Sequence, residues 1–349
     1  MKRLRTKHLA VFAAALAGTE ALIFSGVHRL YRSSFRRTDK QNHPPIPYAP
    51  LCARYPRETF SFYSGKNKLR AYLYGVGSTK GLIVVVHGIH SSADRRLADI
   101  TYFVDHGWCV LSYDGTACGE SEGNSVRGLV QSALDLHALL QVVEKTPSLS
   151  SLPLMLFGHS WGGYAVTAVL NFKHSIAGVV SVSGYNSASE MTRENSKNLL
   201  NKAAPLTYLP SEVFQAAAFG RYSSLSAVNG INRARNTAVY IMHGDQDETI
   251  SYRGASILSH RGEITNPNVI YHTFSEPGQN THSGVFCSKR AAEYRIQWQK
   301  KVRNLKKQYK VIPDEVWKQL CAETDTALYY ERNDDLYDSA NQFFESRLK

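Results

Sequence analysis

The chain has 349 residues, 43% of them hydrophobic and 20% charged, which is enough for one large domain or two ordinary ones and excludes a disulfide-stapled miniprotein or wholesale disorder. The net charge of +12 sits at the ends: residues 1–40 carry +7, 289–310 carry +8 and 311–349 carry −5, which leaves +2 for residues 41–288. So neutral a body, without zinc-finger spacing or an aromatic single-strand motif, argues against a nucleic-acid partner.

The amino terminus opens with Lys2, Arg3, Arg5 and Lys7 and continues into an apolar run from Leu9 to Val27 that Glu20 interrupts. At about 1.5 Å rise per residue such a run matches a hydrocarbon layer of about 30 Å, so residues 1–40 read as a single membrane anchor and the protein as membrane-associated. Ala15, Leu16 and Ala17 also fit a signal-peptidase site, with a secreted or periplasmic product as the alternative; an amphipathic helix is the third reading. Basic residues on both flanks leave the sidedness open.

Residues 41–58, with Pro44, Pro45, Pro47 and Pro50, read as a linker. Residues 59–76 form two alternating stretches around Ser64, Gly65 and Asn67, a hairpin leading into a sheet. Short apolar runs follow at Leu82–Val86, Cys109–Tyr113, Leu154–Phe157, Ile176–Val182, Ala238–Met242 and Val269–Phe274, the pattern of parallel strands covered on both faces. Between them, Val126, Leu129, Val130, Ala133, Leu136, Leu140 and Val143 make a stripe at helical spacing, and Asp94–Asp105 form a second helix that Gly107 ends.

This alternation predicts an α/β domain over residues 59–300, with a mostly parallel central sheet and helices on both faces. Residues 186–235 are too long for a simple crossover and carry Leu199, Leu200, Leu206, Leu209, Val213 and Phe214, so they read as a helical cap insertion over the carboxyl edge of the sheet. Beyond Ser283 the chain reads as helical, with a break at Pro313 and residues 301–349 as a C-terminal extension. Its basic stretch is a solvated helix face, with anionic lipid as the second reading. Cys52, Cys109, Cys118, Cys287 and Cys321 show no metal-ligand spacing, and their odd number argues against a complete disulfide framework.

The run Leu154–Phe157 feeds into Gly158, His159, Ser160, Trp161, Gly162 and Gly163, with a helical stretch behind. A serine on a tight strand-to-helix turn projects its hydroxyl above the sheet, and glycines flank it because a Cβ would strike neighbouring backbone. Ser160 is thus the candidate nucleophile. A hydroxyl needs a base to take its proton and an acid to orient that base. The run Ala238–Met242 ends in His243, Gly244, Asp245, Gln246 and Asp247, and the loop after Val269–Phe274 holds His282.

The order Ser160, Asp247, His282 suits this kind of sheet, with Asp245 as the rival acid and His243, His272 and His159 as rival bases. An oxyanion requires aimed backbone N–H donors, for which Ile89 follows Leu82–Val86 and Trp161 opens the elbow helix. Asp114 reads as a loop organiser, Glu120 and Glu122 as solvated, and His87 with His90 as structural. No metal or organic cofactor is expected.

In His87 and Gly88, Asp114, Gly115, Gly119, Ser121 and Gly123, Gly158–Gly163, Gly244 with Asp247, and His282 with Ser283 and Gly284, the chain resembles the α/β-hydrolase superfamily. The resemblance is to its branch of monoacylglycerol-lipase-like and serine-aminopeptidase-like proteins. It implies the α/β-hydrolase fold, a cap between the sixth and seventh strands of the parallel run, and a serine hydrolase working through an acyl-enzyme. It also selects Asp247, three residues after Gly244, over Asp245.

The expected activity is therefore hydrolysis of a carboxylic ester, with a small-molecule or lipid acyl ester as partner and the oligomeric state open. A serine peptidase is the enzymatic alternative, for which Glu190 and Glu194 are the cap carboxylates able to meet a substrate amino group. A non-catalytic binding protein of the same fold is the other alternative.

Overall fold

The computed structural model describes residues 22–38, 44, 48–309 and 311–348. Among them, the strands β1 (Arg57–Ser64), β2 (Asn67–Tyr74), β3 (Leu82–Val86), β4 (Cys109–Tyr113), β5 (Leu154–His159), β6 (Gly178–Val182), β7 (Ala238–Gly244) and β8 (Val269–Phe274) form one sheet in the order β1-β2-β4-β3-β5-β6-β7-β8. The β1–β2 hairpin joins β4 antiparallel, and every pair from β4 to β8 is parallel. The chain runs from β3 to β4 on one side and then returns to β5 on the other side of β3. Such a reversal opens a crevice outside the carboxyl ends of the two strands.

The helices are α1 (residues 22–34), α2 (Leu97–Asp105), α3 (Gln131–Lys145), α4 (Pro147–Ser150), α5 (Trp161–Ala168), α6 (Ala188–Leu200), α7 (Tyr208–Phe219), α8 (Ala227–Arg233), α9 (Lys289–Gln308), α10 (Asp314–Ala322), α11 (Thr326–Tyr329) and α12 (Asp334–Glu345). Alternation along the strands supplies two apolar faces. Val84, Val86 and Leu156 pack in one core with Leu136 and Leu140 of α3, Val166 of α5 and Ile231 of α8. Ile83, Val85, Met155 and Phe157 pack in the other with Ile100 and Phe103 of α2 and Leu336, Tyr337, Ala340, Phe343 and Phe344 of α12.

The acidic C-terminal segment thus supplies one cover of the sheet, fastened by the Trp108 Nε1–H bond to Asn341 Oδ1 at 2.8 Å. Each fully buried apolar side chain in such a layer is worth about 1.5–3 kcal/mol. In α9, Trp298 and Val302 pack with Leu320 and Tyr329, while Lys300, Lys301, Arg303, Lys306 and Lys307 face solvent. The cap runs from α6 through a 3₁₀ stretch, Asn201–Thr207, to α7, between β6 and β7, and α8 brings the chain back to the sheet.

The expectation of a membrane-associated protein with an amino-terminal anchor is overturned. Among the described residues no helix is long and apolar enough to cross a membrane. The described end of the run, residues 22–27, opens α1, which packs on the cap: Phe24, His28 and Tyr31 of α1 surround Phe214 of α7 at ring-centroid distances of 6.1, 4.9 and 5.8 Å. Val27 and Phe35 are buried. Of the described apolar residues of the run, Val27 is buried and Phe24 is half-buried against the cap, while Leu22 is exposed. Residues 9–21, with the cleavage-site alternative at Ala15–Ala17, lie outside the described residues.

Candidate active site

Ser160 sits between β5 and α5 with φ 59° and ψ −115°, a backbone state that costs a non-glycine residue about 1–3 kcal/mol. Close packing on both sides holds it there. A Cβ at Gly158 would strike the Gly162 carbonyl, and one at Gly162 would strike the Val86 carbonyl at the end of β3. The Ser160 amide donates to the Val182 carbonyl at 2.9 Å, which ties the turn to β6.

The loops after β7 and β8 bring an acid and an imidazole to this turn. His282 Nε2 lies 2.9 Å from Ser160 Oγ, and His282 Nδ1 lies 2.8 and 3.0 Å from the two Asp247 oxygens. An ionised carboxylate only accepts, so Nδ1 carries the proton and Nε2 turns its lone pair to the serine hydroxyl. Burial alone would raise the Asp247 carboxyl; hydrogen bonds from His243, His282 and the Ile250 amide outweigh it and hold the group well below the usual carboxylate range. Ser160, Asp247 and His282 are 9%, 7% and 9% exposed.

The other candidates lie elsewhere. Asp245 accepts from Asn280 Nδ2 at 2.8 Å, and His272 meets Phe274 edge-on along β8. His159 lies beside His282, ring centroids 4.8 Å apart, and its Nε2–H donates to the His282 carbonyl at 3.0 Å, not to Ser160; burial pushes its pKa well below the usual histidine value. His243 Nε2 stands 3.1 Å from Asp247 Oδ2 and 3.0 Å from the Ile250 carbonyl, so it braces the acid.

Asp114 accepts from Tyr72 Oη and from the Ala93 and Glu120 amides. His87 does not converge with His90. Its Nδ1–H donates to the Gly88 carbonyl at 2.6 Å and its Nε2 accepts from the Gly115 amide at 2.9 Å, which binds the turn after β3 to the loop after β4. The other ring, His90, places Nε2 3.0 Å from the Ser34 carbonyl. A Cβ at Gly88 would stand 3.6 Å from that of Ser160, so this turn, which carries Ile89, runs beside the serine. Trp161 donates Nε1–H to the Leu129 carbonyl at 2.7 Å, and its backbone amide opens α5.

Sequence reasoning missed two supports. Glu248 Oε2 accepts the His282 amide at 3.2 Å, and Glu194 of α6 accepts the Ser251 and Ala255 amides, both at 2.7 Å. The position of Glu248 beside Asp247 was a usable signal for the first. Nothing local in the sequence links Glu194 to its loop.

Residues 77–217 match the family described as serine aminopeptidase, S33; this stretch holds Ile89, Ser160 and Trp161 and ends before Asp247 and His282. No curated protein matches the chain by sequence. Among solved structures, the Pyrococcus furiosus esterase Pf2001 is similar with a TM-score of 0.52 at 18% identity, over 77% of this chain and 99% of that one. An alpha-beta hydrolase from Vibrio vulnificus is similar with a TM-score of 0.53 at 15% identity, over 77% and 88%. At these identities the likeness is one of fold. Its sheet order and cap are those of the α/β-hydrolase fold, and the match over residues 77–217 supports the serine aminopeptidase S33 branch of that superfamily.

Proposed function

We propose that the protein is a serine hydrolase that cleaves a carboxylic ester, of a small molecule or a lipid-like acyl group, through an acyl-enzyme. The observation that carries this reading is the unbroken relay from Ser160 Oγ to His282 Nε2 at 2.9 Å and from His282 Nδ1 to Asp247 Oδ2 at 2.8 Å. As Ser160 Oγ attacks the ester carbonyl carbon, its proton passes to His282 Nε2, and Asp247 stabilises the resulting imidazolium. The Ile89 and Trp161 amides receive the oxyanion, each such donor being worth about 3 kcal/mol. Collapse returns the proton to the departing alcohol. Water then repeats the sequence on the acyl-enzyme, releases the acid and restores Ser160.

Ester is favoured over amide because the two cap carboxylates able to meet a substrate amino group already have partners within the chain. Glu190 accepts from Asn186 Nδ2 and pairs with His260, and Glu194 holds the two loop amides. The fold neighbour from Pyrococcus furiosus is itself described as an esterase. The family description supports the peptidase reading, so the test sets p-nitrophenyl esters of graded acyl length against aminoacyl p-nitroanilides, with Ser160→Ala as blank. Ester turnover with fluorophosphonate labelling of Ser160 is expected. Anilide cleavage without ester cleavage would make it a peptidase, and no labelling at all would leave a binding protein.

A further inference from the structure

The loop that carries Asp247 is held from two directions. From inside, Asp247 Oδ1 accepts the amides of Thr249 at 2.9 Å and Ile250 at 2.8 Å. From the cap, Glu194 Oε1 accepts the Ser251 amide and Oε2 the Ala255 amide, both at 2.7 Å. Four amides of one short loop are therefore satisfied by two carboxylates, one proposed to be catalytic and one on the cap. Bonds of an amide to a carboxylate are roughly twice as strong as neutral ones.

The exit of the same loop is stitched to the entry of the cap by main-chain bonds, Asn186 N–H to the Ala255 carbonyl at 2.8 Å and Ile257 N–H to the Gly184 carbonyl at 3.1 Å. Glu194 adds a second attachment farther along α6. Two attachments, not one hinge, therefore tie the loop to α6 and the cap entry. Other cap carboxylates are placed differently. Glu212 of α7 bonds Ser189 and Arg193 of α6 and so works within the cap, and Glu190 reaches His260 beyond the loop.

We infer that Glu194 is a positioning residue that couples the cap to the acid: a substrate that shifts α6 shifts residues 248–255, and through them the alignment of Asp247 with His282. The catalytic half of this inference rests on the proposed hydrolase reading; the mechanical half does not.

Gly254 offers an independent way to break the contact. A Cβ there would enter the space of the Glu194 carboxylate and approach Ser251 Cβ at 2.9 Å. Gly254 does not hold a positive φ, and the main obstacle is the end of a flexible side chain, so Gly254→Ala expels the carboxylate and leaves Glu194 itself unchanged. Glu194→Gln acts from the other side, since an amide keeps one acceptor and turns N–H groups toward the second loop amide.

The experiment compares both single variants, the double variant and Glu212→Gln in the full chain. It reads kcat and KM on a p-nitrophenyl ester, the melting temperature, and hydrogen–deuterium exchange over residues 245–256. Each single variant is expected to lose about tenfold in kcat with KM within about twofold, as a displaced catalytic group does. The double variant should be no worse than either single one, because both remove the same contact. Glu212→Gln should stay within about twofold, as a bond confined to the cap predicts. Exchange at 249–255 should accelerate in both single variants.

Unchanged kcat in both variants of an active wild type, or a fully additive double variant, would overturn the coupling. If the wild type neither cleaves esters nor labels with fluorophosphonate, the hydrolase reading fails, and unchanged exchange would then overturn the latch separately.

Discussion

The sheet edge and the cap above it are built on opposite terms. At the edge, Ser160, Asp247 and His282 are nearly buried and their polar atoms meet fixed partners: the Val182 carbonyl, the Thr249 and Ile250 amides, His243 and Glu248. In the cap, Leu199, Leu206 and Leu209 are 62%, 57% and 66% exposed. The edge holds the proposed reacting groups in one geometry, and the cap has exposed apolar side chains. A site set on rigid strand ends beneath a softer cover separates chemistry from selection, and substitutions in the two regions should differ in kind.

The largest effect is expected at the edge. Ser160→Ala or His282→Ala should lower kcat by about 10⁵–10⁶-fold with little change in melting temperature, read by ester turnover and calorimetry. Residual turnover near wild type would place the chemistry elsewhere. Asp247→Asn comes next at about 10⁴-fold, because an amide cannot hold the Nδ1–H tautomer; Asp245→Asn, which meets Asn280, should cost about tenfold or less. Equal losses would erase the distinction between the two acids.

A third effect concerns stability. Burial lowers the pKa of His87 and of His159, so below the unfolded histidine value of about 6.5 the unfolded chain binds more protons than the folded one. Stability is then lost as pH falls through that value, by up to about 1.4 kcal/mol per pH unit for each histidine. The depressed Asp247 carboxyl adds a further loss below about pH 4, where the unfolded carboxylate protonates first. Urea unfolding at pH 7, 6 and 5 should show this slope, shallower in His159→Gln; a flat profile would mean that these rings titrate freely. The smallest effect belongs to the cap. Leu209→Ser should change stability by no more than about 0.5 kcal/mol while altering KM across acyl lengths, and a cost above about 2 kcal/mol would show the cap to be as rigid as the edge.

The elbow was legible because its determinants are local: an apolar strand, glycines that a Cβ would jam and a helix start all lie within Leu154–Leu170. The runs of β3 to β7 were legible because burial on both faces leaves unbroken apolar segments. In contrast β8, at the edge of the sheet, alternates between half-buried and exposed residues and was not covered on both faces as expected. His282 and Asp247 could be nominated by their strand ends, but the choice against Asp245 came from resemblance, since both carboxylates follow the same strand and only their direction differs. The amino-terminal run misled because hydropathy reports an apolar neighbour without naming it. At the described end of that run Phe24 meets Phe214 of the cap and Val27 is buried, so part of the apolar neighbour is protein.

Local chemistry along the chain determined which segments are strands, where a serine must sit on a strained turn, and that acid and imidazole candidates end later strands. Only the tertiary structure decided that β3 lies between β4 and β5, that α12 covers one face of the sheet, and that Glu194 reaches the amides of Ser251 and Ala255. The physical reason is range. Steric fit and periodicity act over a few neighbouring residues, whereas hydrogen bonds between distant segments depend on how the whole sheet is wound.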